Sequence, residues 1–177
     1  LPRPNDACFR NVEFQIVARL DDAKRAAAET AKKLGYEIKV HAEFIEGDAV
    51  ETGERLARKL LESKPGVVQV WGGETTVRLP PTPGRGGRNQ SLALSAALVL
   101  KGRENVWLLS AGTDGSDGPT EDAGALVDGE TITRGKIHGL DAGAALVKAD
   151  AGTFLEASGD LIHTGPTGTN VMDLMLG

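Results

Sequence analysis

One apolar run sets most of what this chain can become. Val106-Trp107-Leu108-Leu109-Ser110-Ala111 reads as a fully buried strand, and it passes without a spacer into Gly112-Thr113-Asp114-Gly115-Ser116-Asp117-Gly118-Pro119-Thr120. Two aspartates, two threonines and a serine therefore sit on a glycine-hinged loop at the carboxyl end of a core strand. In α/β sheets ligands bind at such strand ends. Carboxylates at this spacing, Asp114 and Asp117, suit Mg²⁺ or a general base facing a hydroxyl. Asp and Gly are also ordinary turn residues, so the same segment reads as a solvated turn when taken alone.

Two other loops share its character. Gly84-Arg85-Gly86-Gly87-Arg88-Asn89-Gln90 leads into the Ala/Leu-rich stretch 91–100, which has high helix propensity. Glycines before a helix N-terminus expose backbone N–H groups, and the helix dipole favours an anion there. Arg85 and Arg88 add forked donors matched to phosphate or carboxylate. Thr164-Gly165-Pro166-Thr167-Gly168-Thr169-Asn170 follows the short apolar stretch Leu161-Ile162-His163. It offers the hydroxyls of Thr164, Thr167 and Thr169 and the amide of Asn170, which fit a polyoxygenated ligand. Glu74, after two glycines, is a candidate for the same site or an ordinary turn carboxylate.

The alternation along the chain gives the fold class. Val12–Val17 reads as a first strand, and Asp21 or Asp22 caps a helix that ends at Leu34 before Gly35. A second strand is expected over Tyr36–Val40 and an amphipathic helix over Asp48–Ser63, with Val50, Leu56, Leu60 and Leu61 on its apolar face. Val67–Trp71 and Thr75–Leu79, linked by Gly72-Gly73-Glu74, read as an antiparallel hairpin. A helix from Asn89 and the strand at Val106 follow. Glu121–Val127 and Asp141–Ser158 look largely helical, with weak points at Gly143 and Gly152. Strands near Leu161 and over Val171–Leu176 finish the chain. The prediction is a three-layer α/β/α domain with a mixed, mostly parallel sheet that includes one β-hairpin.

Composition narrows the function. With 177 residues and 40% hydrophobic content the chain can bury a sizeable core as one domain. A net charge of -5 and 4% aromatics argue against nucleic acid as a partner, which calls for a basic stripe or stacking platforms. No apolar run approaches the roughly 20 residues that span a bilayer, and no signal segment opens the chain. A single Cys8 fits a reducing cytoplasm. The opening Leu1-Pro2-Arg3-Pro4-Asn5-Asp6 reads as part of a linker, residues 1–10, exposed by truncation of a longer protein; residues 11–177 form the domain.

Several chemistries lack their signatures. There is no Gly-x-Gly-x-x-Gly fingerprint, no P-loop and no Gly-x-Ser-x-Gly elbow. His41, His138 and His163 lie far apart and, with one cysteine, give no zinc spacing; His163 at a strand end could line the cleft or simply pack. What remains is an arginine-bearing anion loop, an acidic loop and a hydroxyl-rich loop. That set describes phosphoryl transfer to a small hydroxy acid.

These segments together resemble the C-terminal domain of the class II, 2-phosphoglycerate-forming glycerate kinases, the MOFRL domain. The matching residues are Gly72-Gly73-Glu74-Thr75-Thr76-Val77, Gly86-Gly87-Arg88-Asn89-Gln90, Ala111-Gly112-Thr113-Asp114-Gly115, Asp117-Gly118-Pro119-Thr120, Ala123-Gly124-Ala125 and Thr164–Asn170, in the family's order. The resemblance implies a two-domain enzyme that uses ATP and Mg²⁺ to phosphorylate D-glycerate at its 2-hydroxyl. Its cleft lies between an N-terminal Rossmann-like domain, absent here, and this one. It implies catalytic roles for Arg88 and Asp114, ligand contacts from Glu74, Arg85, Gly86, Gly87, Asn89, Thr113, Thr164, Thr167, Thr169 and Asn170, and metal contacts from Asp114 and Asp117. Near Ala149–Phe154 the family usually shows Asn-Asp-Ser-Tyr before its aromatic residue, and only Asp150 and Phe154 are kept here. Some relatives are labelled hydroxypyruvate reductases, which is the alternative enzyme reading. A non-catalytic module that binds a small acid or phosphate is the alternative outside enzymes. Because strand-end loops contribute little to a core, Arg88 and Asp114 are expected to matter for turnover more than for folding.

Overall fold

The structure, a computed structural model, describes every residue except Leu1, Pro4, Asn5 and Phe14. A 3-10 turn at Ala7–Phe9 precedes helix α1 (Leu20–Lys33), strand β1 (Glu37–Ile45), helix α2 (Ala49–Leu61) and strand β2 (Val67–Gly73). Helix α3 (Arg88–Leu100) and strands β3 (Trp107–Gly112) and β4 (Gly124–Asp128) follow. Three short helices, α4 (Thr131–Ile137), α5 (Ala142–Val147) and α6 (Ala151–Ser158), lead to strands β5 (Leu161–Ile162) and β6 (Asp173–Leu176). Among the described residues no helix is long and apolar enough to cross a membrane.

Local chemistry sets several boundaries. Asp48 caps α2 by accepting from the backbone N–H groups of Val50 and Glu51. Gly35 stops α1 at a φ of +91°, a left-handed position that suits glycine. Helix α3 is buried from Asn89 through Ala97, as expected of a helix without a polar face. Gly53 allows α2 to lie directly on it, since a Cβ there would fall 2.2 Å from the Leu92 carbonyl oxygen.

Among the described residues six strands form one sheet in the order β1-β2-β6-β3-β4-β5. On the pleat, Trp71, Leu108, Ala125, Val127 and Met175 join the core built on α2, α3 and α6. Gly72, one residue on from Trp71, faces the other way and meets Leu20 of α1. Helices thus cover both faces, and the three-layer α/β expectation holds.

Four expectations of detail fail. The sheet is mixed, but only β1 and β2 pair in parallel; β6 runs antiparallel to both β2 and β3, and β4 to both β3 and β5. The expected hairpin return, Thr75–Leu79, is not a strand, because both flanks of β2 are already taken by β1 and β6. Thr76 instead bridges Asp48. The antiparallel pair joined without an intervening helix is β3–β4, linked by residues 113–123. Of residues 121–127, read as helical, 124–127 lie in strand β4, where pairing to β3 outweighs the helix propensity of Ala and Leu. The described residues of 12–17 belong to no strand, and Val12, Ile16 and Val17 are exposed. Alternation supplies a strand's faces but not its partner edge; Phe14 lies outside the described residues.

Candidate functional site

Strands β2 and β3 run in the same direction, and β6 starts between their carboxyl ends. The first residue of β6, Asp173, is paired across the ladder with Gly73 of β2 and Gly112 of β3. Arg88 opens α3 beside it. Its guanidinium donates from Nε to Asp173 Oδ2 at 2.7 Å and from Nη2 to Oδ1 at 3.1 Å. The third nitrogen, Nη1, lies 3.1 Å from Glu74 Oε1. Asp173 is 0% exposed, so its charge is tolerated through this fork. The hydrogen-bonded Asp173 carboxylate in turn holds the Arg88 pKa above its ordinary value.

The acidic and hydroxyl-rich loops interlock at the same edge. Thr167 Oγ1 donates to the Thr113 carbonyl at 2.6 Å, and Thr167 N–H donates to the Asp114 carbonyl. Thr113 Oγ1 donates to the Met172 carbonyl and accepts from Val171 N–H. Asn170 Nδ2 reaches Asp114 Oδ2 at 3.1 Å, while Ser116 N–H donates to Oδ1. Gly115 makes the closest approach: at φ +89°, a Cβ there would lie 2.1 Å from the Gly165 carbonyl oxygen. Gly112 does the same for the carboxylates, since a Cβ there would sit 3.0 Å from Asp114 Oδ1 and 3.7 Å from Asp173 Oδ1. Arg88, Glu74, Asp114 and Asp173 therefore share one neighbourhood.

Three residues expected at a ligand do structural work instead. Asp117 is 2% exposed and caps α3, accepting from Gln90 N–H at 2.8 Å and Asn89 N–H at 3.0 Å. The anion that the helix N-terminus favours is thus the protein's own. Burial drives the Asp117 pKa up to about 6, against the lowering effect of those N–H donors, and the nearby Asp173 charge adds to the rise. Asn89 is fully buried between Asp117 and the Ser110 hydroxyl. Arg85 is consumed by Asp122 and Glu156, its N–H by Asp150, and its carbonyl by Gly152 N–H. Those contacts clip the glycine loop to α6, where Asp150 also accepts from Thr153. The glycines have the same explanation. Gly87 leaves room for the Asp117 carboxyl, and Gly86 for the first turn of α6.

Thr164, Thr167, Thr169 and Asn170 lie on the exposed loop at the site's rim. His163 is exposed, with Nδ1 3.7 Å from Asp122. Asp173 was not foreseen as a site residue. The signal was present: an aspartate in the otherwise apolar 171–176 stretch, on the same parity as a core methionine, must be buried and so needs a cation. Among the described residues no three His, Cys, Asp or Glu side chains cluster as a metal site. Mg²⁺ is commonly held by one or two carboxylates completed by phosphates and water. Asp114, half-buried and bonded only to neutral groups, fits such a place; Asp117 does not.

Residues 67–173, which carry every side chain of this site, match the MOFRL family. The chain belongs to that family. A D-glycerate 2-kinase of Thermotoga maritima is 41% identical to this MOFRL chain over 175 residues, covering 94% of it and 42% of the relative. A glycerate 2-kinase of Pyrococcus horikoshii is 35% identical, covering 94% and 39%. A protein of Agrobacterium vitis named putative hydroxypyruvate reductase is 39% identical, covering 92% and 39%. The crystal structure of the glycerate kinase from Thermotoga maritima matches the MOFRL fold with a TM-score of 0.88, over 94% of this chain and 42% of that one. The chain spans about two fifths of the length of these relatives.

Proposed function

We propose that this chain is the MOFRL part of a glycerate 2-kinase, which transfers the γ-phosphoryl group of ATP to the 2-hydroxyl of D-glycerate, and that residues 11–177 act only with an N-terminal Rossmann-like domain. The observation that carries this reading is that a braced arginine, Arg88, and a half-free aspartate, Asp114, lie in one neighbourhood at the carboxyl ends of β2 and β3. Two relatives named glycerate 2-kinase support it over the same residues. In the reaction the 2-hydroxyl oxygen bonds to the γ-phosphorus as the bond to the β–γ bridging oxygen breaks, leaving ADP. Arg88 meets the negative charge of the transferring group or the substrate carboxylate. Asp114 accepts the 2-hydroxyl proton or anchors Mg²⁺; both roles need its charge. Mg²⁺ held there would neutralise phosphate oxygens. The rim hydroxyls of Thr164, Thr167 and Thr169 and the Asn170 amide are placed to meet a polyoxygenated acid. A soluble, cytoplasmic enzyme without nucleic-acid or membrane partners fits the composition.

ADP release from ATP, Mg²⁺ and D-glycerate tests the reading. The two-domain protein is expected to turn over at about 1–100 s⁻¹, as kinases do, and this chain alone not to turn over. The relatives named putative hydroxypyruvate reductase supply the competing reading. NAD(P)H oxidation with hydroxypyruvate faster than glycerate phosphorylation would overturn ours.

A further inference from the structure

Arg88 makes two kinds of contact, and they differ in what it takes to break them. The Nε–Nη2 edge is closed on Asp173, a carboxylate with 0% exposure that has no other charge partner among the described residues. Opening that edge strands a buried anion, which is strongly unfavourable. The Nη1 corner rests on Glu74, whose side chain is 49% exposed and, once released, is solvated by water. An ion pair of that exposure contributes little. The backbone beneath Glu74 is nevertheless fixed. Its N–H donates to the Ile45 carbonyl at 2.8 Å, and a Cβ on the preceding Gly73 would lie 1.9 Å from that same oxygen. Only the side chain of Glu74 is free to swing.

We propose that Asp173 is the positioning residue that locks one edge of Arg88, and that Glu74 is a resident counter-ion which an incoming phosphate or carboxylate displaces from Nη1. Glu74 thus holds the place on Nη1 that the ligand's anion would take, and competes with it. A guanidinium can hold both anions at once because its five N–H donors point outward in one plane. The incoming anion meets a donor already aimed. Glu74, expected from sequence to bind the ligand, instead opposes it. The identity of the natural anion rests on the glycerate kinase reading; the exchange at Nη1 does not.

The test uses this chain and inorganic phosphate as the probe, with calorimetric titration at low ionic strength and ¹⁵N NMR of the arginine side chains. Glu74→Gln is expected to bind phosphate at least about fivefold more tightly than wild type, because removing an internal competitor raises the population of the competent state. In both proteins the Arg88 Nε–H resonance should stay protected and nearly unshifted through the titration. Asp173→Asn should lose that protection and weaken phosphate binding, an effect that general loosening of the fold would spread over other arginines as well. If Asp173→Asn does not fold, Arg88→Lys replaces it: lysine has no fork with which to hold Asp173 and phosphate together, so affinity should fall at least tenfold. Equal or weaker phosphate binding by Glu74→Gln, or no binding by either protein, overturns the proposal, as does an Nε–H signal that moves with phosphate. Absence of glycerate phosphorylation by the two-domain protein, with phosphate still displacing Glu74 here, would refute the proposed function and leave this inference standing.

Discussion

Asp117 gives the sharpest quantitative expectation. Its carboxyl is buried beneath the first turn of α3, and its pKa is raised from 3.8 to about 6. A raised folded-state value means that the native protein holds this proton more tightly than the unfolded chain does. The associated stability is fully present below about pH 3.8 and is lost as pH rises through 6. At 1.36 kcal/mol per unit, a shift of roughly two units amounts to about 3 kcal/mol. Asp22, Glu43 and Asp128 have lowered pKa values and act in the opposite direction, so the comparison must isolate one group. Asp117→Asn does so, because those carboxylates are common to both proteins. Urea unfolding at pH 4, 5, 6 and 7, followed by tryptophan fluorescence, gives the free energy of each protein; Trp71 is fully buried and reports on the core. The wild type should lose about 2 kcal/mol relative to Asp117→Asn between pH 4 and 7, the remainder of the effect lying below pH 4. Superimposed on this is a pH-independent cost to the variant of about 1–3 kcal/mol, because an amide leaves one N–H of Asn89 or Gln90 without an acceptor. A difference that stays flat with pH, or moves in favour of the wild type as pH rises, would refute the reasoning.

Arg88→Ala should destabilise this chain by about 3–5 kcal/mol, since it strands the buried Asp173 charge; this reverses the expectation that Arg88 matters little for folding, and thermal melting checks it. Asp114→Asn should leave the melting temperature within a few degrees of wild type while lowering turnover of the two-domain enzyme about 10²-fold or more; unchanged turnover would remove Asp114 from the chemistry. Arg85→Ala should lower stability by about 1–2 kcal/mol through two partly exposed ion pairs, without altering phosphate affinity in the titration used above.

Much of this architecture was legible in local chemistry. The helix starting near Asp48, Gly35 as a stop, the Ala/Leu-rich run of α3 and the strand at 106–111 are each written in a few adjacent residues, and the structure places that strand at Trp107–Gly112. What was not legible depends on a partner far along the chain. Thr75–Leu79 has strand composition, yet no free edge of β2 exists once β6 is in place. Residues 124–127 have helix composition, yet a sheet neighbour claims them. The site divides the same way. Arg88, Asp114 and the threonine loop were identifiable as polar groups on glycine-hinged loops. Whether an acidic or basic group faces a ligand or its own protein is decided by long-range pairing. Asp117, Arg85 and Asn89 turned inward for that reason, and Asp173 went unnoticed inside an apolar stretch.

The position of β6 has a consequence for how the molecule assembles. Its four residues follow every other strand in sequence, yet they lie between β2 and β3 in space. Until that segment docks, β1–β2 and β3–β4–β5 are two separate half-sheets with open inner edges, linked by the contacts of α3. The Arg88–Asp173 lock forms in the same event, so closure of the sheet and alignment of the arginine are one step. Contacts between such distant parts of a chain form slowly, and unpaired inner edges are sites for wrong association meanwhile. A chain cut before Asp173 should therefore leave both halves without a seam and the arginine without an aim, and it should aggregate rather than fold into a smaller domain.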